Sequence, residues 1–473
     1  MLLDTDAGNV TQHSKGLQNL TPLAPEAHGT QRTSRQYHNG IFDQLEKVDT
    51  RVAALIGQEY RRQQDTLQLI AAENQCSRAV LAALGSIVQN KTTEGFIGGR
   101  YHGGCEIVDQ MEALAIERAK TVFGAQYANV QAHSGTSANH IVFAALLGRD
   151  DRILSLGLDQ GGHVSHGAPV SLTGRLFEID HYLVDPKTFL LDYEAIRKQA
   201  IRVRPKLIVC GASAYSRAID FNRFRQIADE VGAYLMADVS HIAGLIAAGV
   251  HPSPVDVAHF TTTSTYKPGG PRGGLILMGR DFDQPIAVGA YTRPLWEHLD
   301  KTTFPGVQGT PQLNNIAAKA VFFQEMDSET YRNRQYAIVK NAQTLVNHLQ
   351  QHGFHVLTEG TDNHMALINV THLRPELTGL IAQRCLEDCG IVVNMNRLPY
   401  DPQGQAITSG IRVGTPIVTR NGMQTQHMAY VANLLHQVLT QVQPIDLRAY
   451  ELDPTFRVKM RHTVRTFCRQ FPI

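Results

Sequence analysis

Along the chain the apolar positions change their period twice. From about residue 41, Phe42, Leu45, Val48, Val52 and Leu55 recur at three- and four-residue steps, the spacing of one face of a helix. The folded part is expected to begin there. Between residues 105 and 330, short β-rich runs such as "RILSLGL" (152–158), "PKLIVCG" (205–211) and "AYLMAD" (233–238) alternate with helical stretches such as "FNRFRQIADEVG" (221–232). Strands apolar on both sides need cover on both faces, so the alternation predicts an α/β unit with a mostly parallel sheet between helices. Beyond "KAVFFQEM" (319–326), a helical pattern over 330–352 leads into "HMALINV" (364–370), a second helix around 377–389 and "IVVNM" (391–395). That predicts a smaller α+β unit. The chain thus reads as an extension (1–40), an N-terminal helical segment (41–104), a large domain (105–330) and a small C-terminal domain (331–473).

Charge and cysteine usage then remove several classes. Lys and Arg number 44 against 43 Asp and Glu, so no broad field favours nucleic acid or an anionic membrane. No run approaches the ~18 apolar residues that span a bilayer. Residues 1–40 are polar and turn-rich, with neither the apolar core of a signal peptide nor the acid-poor character of a transit peptide. A flexible extension on a cytoplasmic protein is expected. Six cysteines in 473 residues are too sparse for a disulfide scaffold. Cys385 and Cys389, four apart in a predicted helix without a matching His/Cys cluster, read as buried inert thiols, and no metal site is expected.

The chemistry collects in four stretches. "TTTSTYKPGGPRGG" (261–274) sets Lys267 among hydroxyls and glycines without the G-x-x-x-x-G-K-[ST] order of a phosphate-binding P-loop. "LMADVSH" puts Asp238 at the end of a buried strand, three residues before His241. Asp there is commonly only a turn former. Pyridoxal phosphate, however, needs an acid beside its pyridine nitrogen and a lysine for a Schiff base, and Asp238 and Lys267 are candidates. "HSGTSAN" (133–139) offers Ser134, Gly135, Thr136 and Ser137 at the start of a helix, where N–H groups favour a phosphate dianion. "DQGGHVSHG" (159–167) places His163 after Gly161 and Gly162, on a tight turn where it could stack on a flat ring.

In this order the motifs resemble the serine hydroxymethyltransferase family of fold-type I pyridoxal-phosphate enzymes. "LIAAEN" (69–74), "EGFIGGRYHGG" (94–104), "GASAYSR" (211–217), "FPGVQGTP" (304–311), "TDNHMALI" (361–368) and "TSGIRVGTP" (408–416) extend the resemblance from about residue 41 to the C-terminus. It implies a large, mostly parallel sheet domain with a smaller α+β domain. Lys267 would carry the cofactor, Asp238 would pair with its ring nitrogen and His163 would stack on the ring. Ser134, Gly135, Thr136, Ser213, His241, Gly309 and Thr310 would complete the cofactor site. Arg412 would grip the substrate carboxylate, the bidentate chemistry of a guanidinium. Glu94 would shuttle a proton. Tetrahydrofolate, the implied co-substrate, would meet Glu94, Tyr101, Leu158, Gly161, Gly162, Val164 and Asn396. The segments 92–102 and 304–311 would cross to a partner, implying a homodimer or dimer of dimers.

Departures from the family cluster at the substrate. Ala72 stands where serine is usual, Thr92 and His102 where tyrosines are usual, Tyr266 where histidine is usual, and Thr310 where a glycine is usual. If His102 and Tyr266 face each other, a phenol–imidazole pair survives with its partners exchanged. Smaller residues at 72 and 92 would leave room for an α-substituted serine such as α-methylserine. A folate-free threonine aldolase or transaldolase is the other enzymatic alternative.

Overall fold

Helix formation starts where the three- and four-residue period does. The computed structural model describes residues 41–473, and the extension expected over 1–40 lies outside the described residues. Helix α1 (Ile41–Val48) runs into α2 (Thr50–Asp65), whose first turn is capped by Asp49 accepting from Val52 N at 2.9 Å. Val48, Val52 and Leu55 are nonetheless 84, 42 and 55% exposed, so none of the described residues covers the apolar face built there. Strand β1 (Leu67–Gln68), helix α3 (Arg78–Leu84), the hairpin β2 (Gly95–Phe96) and β3 (Gly99–Arg100), and helix α4 (Glu106–Phe123) follow.

The main sheet is built from β4 (Tyr127–Asn129), β5 (Arg152–Leu156), β6 (Glu178–Tyr182), β7 (Leu207–Gly211), β8 (Tyr234–Asp238), β9 (Phe260–Ser264) and β10 (Gly274–Met278). Its order is β4-β10-β9-β8-β7-β5-β6, and only β10 runs against the direction of the other strands. The helices α5 (Gly135–Leu146), α6 (Tyr193–Val203) and α7 (Phe221–Val231) lie between these strands in the chain. Alternation along each strand assigns neighbouring residues to opposite faces. Leu154, Ile208, Leu235 and Leu275 pack with α4, α6 and α7, while Ile153, Leu207, Met236 and Ile276 pack with α5. Because β4 through β9 all run one way, their C-terminal ends, with Asp238 and Ser264 among them, line one edge. Ligands of open α/β sheets collect at such an edge.

A hairpin of β11 (Pro285–Val288) and β12 (Tyr291–Pro294) precedes helices α8 (Leu313–Met326) and α9 (Glu329–Gln351). The C-terminal part adds β13 (His355–Val356), β14 (Met365–Asn369), α10 (Gly379–Asp388), β15 (Ile391–Val392), β16 (Asn394–Asn396), β17 (Gly410–Gly414), α11 (Thr425–Gln441) and α12 (Pro454–Cys468). A four-stranded antiparallel sheet, β13-β14-β17-β16, is backed by these helices. Strand β1 pairs in parallel with β15, so Leu67 and Leu69 join this second core from the far end of the sequence. Cys385 and Cys389 are buried there as free thiols, and burial pushes both up, Cys389 to about 11. Among the described residues no helix is long and apolar enough to cross a membrane.

Candidate active site

Asp238 ends β8 with 6% of its surface exposed. One carboxylate oxygen accepts from Ser240 N at 3.0 Å and Ser240 Oγ at 2.6 Å, the other from Asn139 Nδ2 at 2.9 Å and His166 Nε2 at 3.0 Å. His166 Nδ1 accepts from the His163 N–H at 3.4 Å, which leaves the proton on Nε2 and aims it at Asp238. Burial alone would raise the Asp238 carboxyl, but the hydrogen bond and charge of His166, then His163 and Asn139, hold it well below the carboxylate range. The site therefore keeps a permanent buried negative charge. Ring nitrogens of His163 and His166 and an Asp238 oxygen lie within 4.8 Å of one another. Their contacts make this a hydrogen-bonded brace on the carboxylate.

Next to this charge, the chain leaving β9 carries Lys267. Its carbonyl accepts from Asn74 Nδ2 at 3.1 Å, and Tyr331 Oη donates to the Pro268 carbonyl at 3.0 Å, so the turn is tied from two sides. Burial lowers the Lys267 amine to about 8, with Asp238 opposing and the Arg412 and Arg272 charges assisting. His163 reaches the same cavity from the turn after β5. Gly161 in that turn has φ +104° and accepts at its carbonyl from Ser213 N and Ala214 N at 2.9 and 3.1 Å. A Cβ on Gly161 would lie 2.5 Å from the Ala214 oxygen, so only glycine allows the two loops to close together. Burial lowers the His163 imidazole to about 4, keeping it neutral.

The cofactor-sized features are completed at α5. Ser134 caps this helix through Ser137 N at 3.0 Å, and the first-turn N–H groups of Gly135 and Thr136 have no acceptor within the helix. A Cβ on Gly135 would sit 3.2 Å from Ser264 Cβ, and Ser264 Oγ is buried without a partner beside it. An anion at this helix start would satisfy that hydroxyl and the free N–H groups together. With a fixed carboxylate, a low-pKa lysine and an imidazole nearby, these residues fit pyridoxal phosphate. Sequence reasoning did not single out Ser264, Asn139 or His166, because their value lies in what the fold brings against them.

A cavity of ≈ 410 Å³ opens over Lys267, with His163, Ser213, His241, Tyr266 and Arg412 on its walls. Arg412 projects from β17, donating from Nε to Asn394 Oδ1 at 3.2 Å and from Nη1 to the Ser213 carbonyl. Burial lowers its guanidinium only to about 10, so it stays charged. Ala72 and Tyr266 stand in the same wall, and the Arg272 guanidinium lies 4.2 Å from the Tyr266 ring centre. Leu158, Gly161, Gly162, Val164 and Asn396 line the same cavity. His241 stacks on His364 with ring centres 5.5 Å apart, and burial drives both imidazoles down, His364 to about 3.

Of the residues singled out in the sequence, Asp238, Ser134, Gly135 and Thr136 lie at the sheet edge and helix start described above, whereas Thr92, Glu94, Tyr101, His102, Gly309 and Thr310 also do not line this cavity within one chain. The phenol–imidazole pair of Tyr266 and His102 is not formed within one chain, since His102 is exposed on the hairpin side. The reason is mechanical. Arg100 pairs with Asp109 and Glu112 on α4 and fixes the hairpin there. Tyr101 meets Phe304 edge-on at 5.6 Å, and the Thr310 carbonyl lies 3.2 Å from His133 Nε2, so both segments share one surface near the helix cap.

The serine hydroxymethyltransferase family model matches residues 45–435. The chain belongs to that family. It is a pyridoxal-phosphate-dependent transferase of fold type I, and at family level its chemistry is hydroxymethyl transfer between serine and glycine. The main sheet with its antiparallel β10 and the smaller C-terminal sheet are the architecture of that class.

Proposed function

We propose that this chain interconverts serine and glycine with tetrahydrofolate as the one-carbon carrier. The observation that supports it most is one shared cavity lined both by Lys267 and Arg412 and by Asn396 with Leu158, Gly161, Gly162, His163 and Val164. An amino acid and a flat second substrate would meet there. Pyridoxal phosphate, when bound, supplies the electron sink for the pair released as a bond to Cα breaks. Lys267, Asp238 and His163 would hold its ring, Ser213 and His241 its edge, and Ser134, Gly135, Thr136 and Ser264 its phosphate.

The chain's own residues then set the geometry. The Arg412 fork would take the α-carboxylate in a bidentate grip, fixing rotation about Cα. Lys267, with its amine near 8, is partly neutral at working pH and so able to exchange with the substrate amine. The Asp238 carboxylate stays ionised under its four donors, as a partner for a protonated ring nitrogen must. Glu94 would move the proton of the substrate hydroxyl. Because it lies outside the cavity in one chain, we assign that role to Glu94 of a second copy in a homodimer, with Tyr101, Gly309 and Thr310 arriving beside it. The uncovered apolar face of α1 and α2 supports association.

A second reading rests on Ala72 and Tyr266, which stand in the wall beside Arg412. A methyl at 72 leaves room near Cα, which favours an α-substituted serine such as α-methylserine. Amino-acid product analysis of the cofactor-loaded enzyme, with each donor and with or without tetrahydrofolate, decides between them. Glycine from serine, formed only with folate, is the expected result. Alanine from α-methylserine with little glycine from serine would establish the second reading, and reversal of that preference in Tyr266→His would assign it to this residue. Folate-independent turnover would overturn the carrier in favour of an aldolase or transaldolase.

A further inference from the structure

Three cations line the cavity, Lys267, Arg412 and Arg397, and no carboxylate lines it. Lys267 and Arg412 have assigned uses in the reading above. Arg397 has none. Its Nε is buried and without a hydrogen-bond partner, and none of the described residues offers its guanidinium an ion pair. A buried donor on a permanent charge is costly when left unpaired. Such a group is satisfied when an anion enters beside it.

The loop that presents Arg397 is built to hold still. The buried Asp401 carboxylate accepts from Leu398 N at 3.1 Å, Gln403 N at 2.9 Å, Ser409 N at 2.8 Å and Ser409 Oγ at 2.6 Å. Tyr400 Oη donates to the Val184 carbonyl at 2.6 Å, pinning the same loop across to the chain beyond β6. Asn396 Nδ2 donates to the Arg397 carbonyl at 2.7 Å, fixing the backbone at the residue itself. Little order is left to be gained when a ligand arrives, so its contact with Arg397 is not spent on arranging the loop. Gln405, from the same loop, also faces the cavity and adds neutral hydrogen-bonding capacity next to the charge.

We propose that Arg397 is a specificity residue that binds a second ligand carboxylate in this cavity, separate from the α-carboxylate held by Arg412. The proposal rests on the placement of the amino acid and the co-substrate given above. A carboxylate there has two sources: the glutamyl tail of a folate whose ring lies against Asn396, or the side chain of a dicarboxylic amino acid. The folate tail is favoured, because Arg397 directly follows Asn396, the residue placed against the folate ring, and lines the same cavity.

Equilibrium binding to the cofactor-loaded full chain tests this. The probes are 5-formyltetrahydrofolate, the same pterin lacking its glutamate, and a set of mono- and dicarboxylic amino acids. The expected result is that the parent binds the glutamate-bearing folate about tenfold or more tightly than the truncated one. Arg397→Gln should bind the two equally, Arg397→Lys should recover part of the preference, and added salt should erode it in the parent. If Arg397→Gln instead loses affinity only for dicarboxylic amino acids, the carboxylate subsite stands and its source is the amino acid. If the parent binds no folate, the carrier reading fails while the amino-acid arm still decides the subsite. Unchanged preferences in both arms overturn the proposal.

Discussion

Burial brings the Lys267 amine to about 8, and Asp238, which opposes the shift, does not reverse it. The sign follows directly: below pH 8 the amine is mostly protonated and cannot attack a carbonyl, and above it the free amine predominates. Reconstitution of the apoprotein with pyridoxal phosphate should therefore quicken by about tenfold between pH 6 and 7 and level off above 8. Stopped-flow absorbance against pH measures this, and a flat profile would show that the amine is not the limiting group. Asp238→Asn should retain cofactor yet turn over on the order of 100-fold more slowly, read as kcat in the reconstituted variant. Retained activity there would remove the ring-nitrogen role. At this scale Lys267 stood out against its hydroxyl and glycine neighbours, Asp238 became a candidate only beside such a lysine, and Arg412 took its candidate role from the resemblance to the family. His166 was in plain view within "GGHVSHG", but its role depends on a contact 72 residues away that spacing does not encode.

The hairpin of β2 and β3 is an element whose position depends on one side chain. Arg100 donates to Asp109, to the almost fully buried Glu112 and to the Gly95 carbonyl. Gln131 joins them, donating to Glu112 at 2.8 Å and to Gly95 at 3.1 Å. Removing one partner of a buried pair leaves an uncompensated charge, so Arg100→Met should lower the unfolding free energy by about 3 kcal/mol. Asp109→Asn, at the more open end of the network, should cost about 1 kcal/mol or less. Denaturant titrations at one fixed protein concentration check both, and equal losses would show that the network is not anchored on Glu112. Strands β5, β7 and β8 were readable from their apolar runs, whereas β4 (Tyr127–Asn129), β6 (Glu178–Tyr182) and β9 (Phe260–Ser264) have no such run. The two-residue strands β1, β2, β3 and β15 carry no periodic signal, since their pairing is decided by distant partners.

For the whole molecule, the residues proposed for the site do not all meet in one cavity of one chain. Tyr101 N donates to the Glu94 carbonyl at 3.1 Å, Tyr101 meets Phe304, and the Thr310 carbonyl lies against His133 beside the helix cap, yet none of Glu94, Tyr101 and Thr310 lines the cavity that holds Lys267. If those three serve a second copy, Lys267→Gln and Glu94→Gln damage different halves of a site. Mixed and re-associated, the two inactive variants should regain about a quarter of the parent activity, because half of the dimers are hybrids and each has one intact site. No recovery after verified subunit exchange would place Glu94 and Lys267 in one chain's site. The parallel sheet, the second α+β unit and the order of the motifs all followed from the pattern of residues. The open face of α1 and α2 did not, since an apolar stripe has the same spacing whether its cover comes from the same chain or another.

The sequence by itself determined the class of chemistry, because a cofactor enzyme needs particular residue types at strand ends and helix starts, and those are local signals. It also determined which residues depart from the family, Ala72 and Tyr266 among them. Only the tertiary structure decided that Asp238 has four donors, that Ser264 Oγ and Arg397 Nε are buried without hydrogen-bond partners, and that Arg412 comes to Lys267 from the other sheet. Charge, desolvation and hydrogen-bond satisfaction depend on distances between groups far apart in the chain, and folding alone sets those distances.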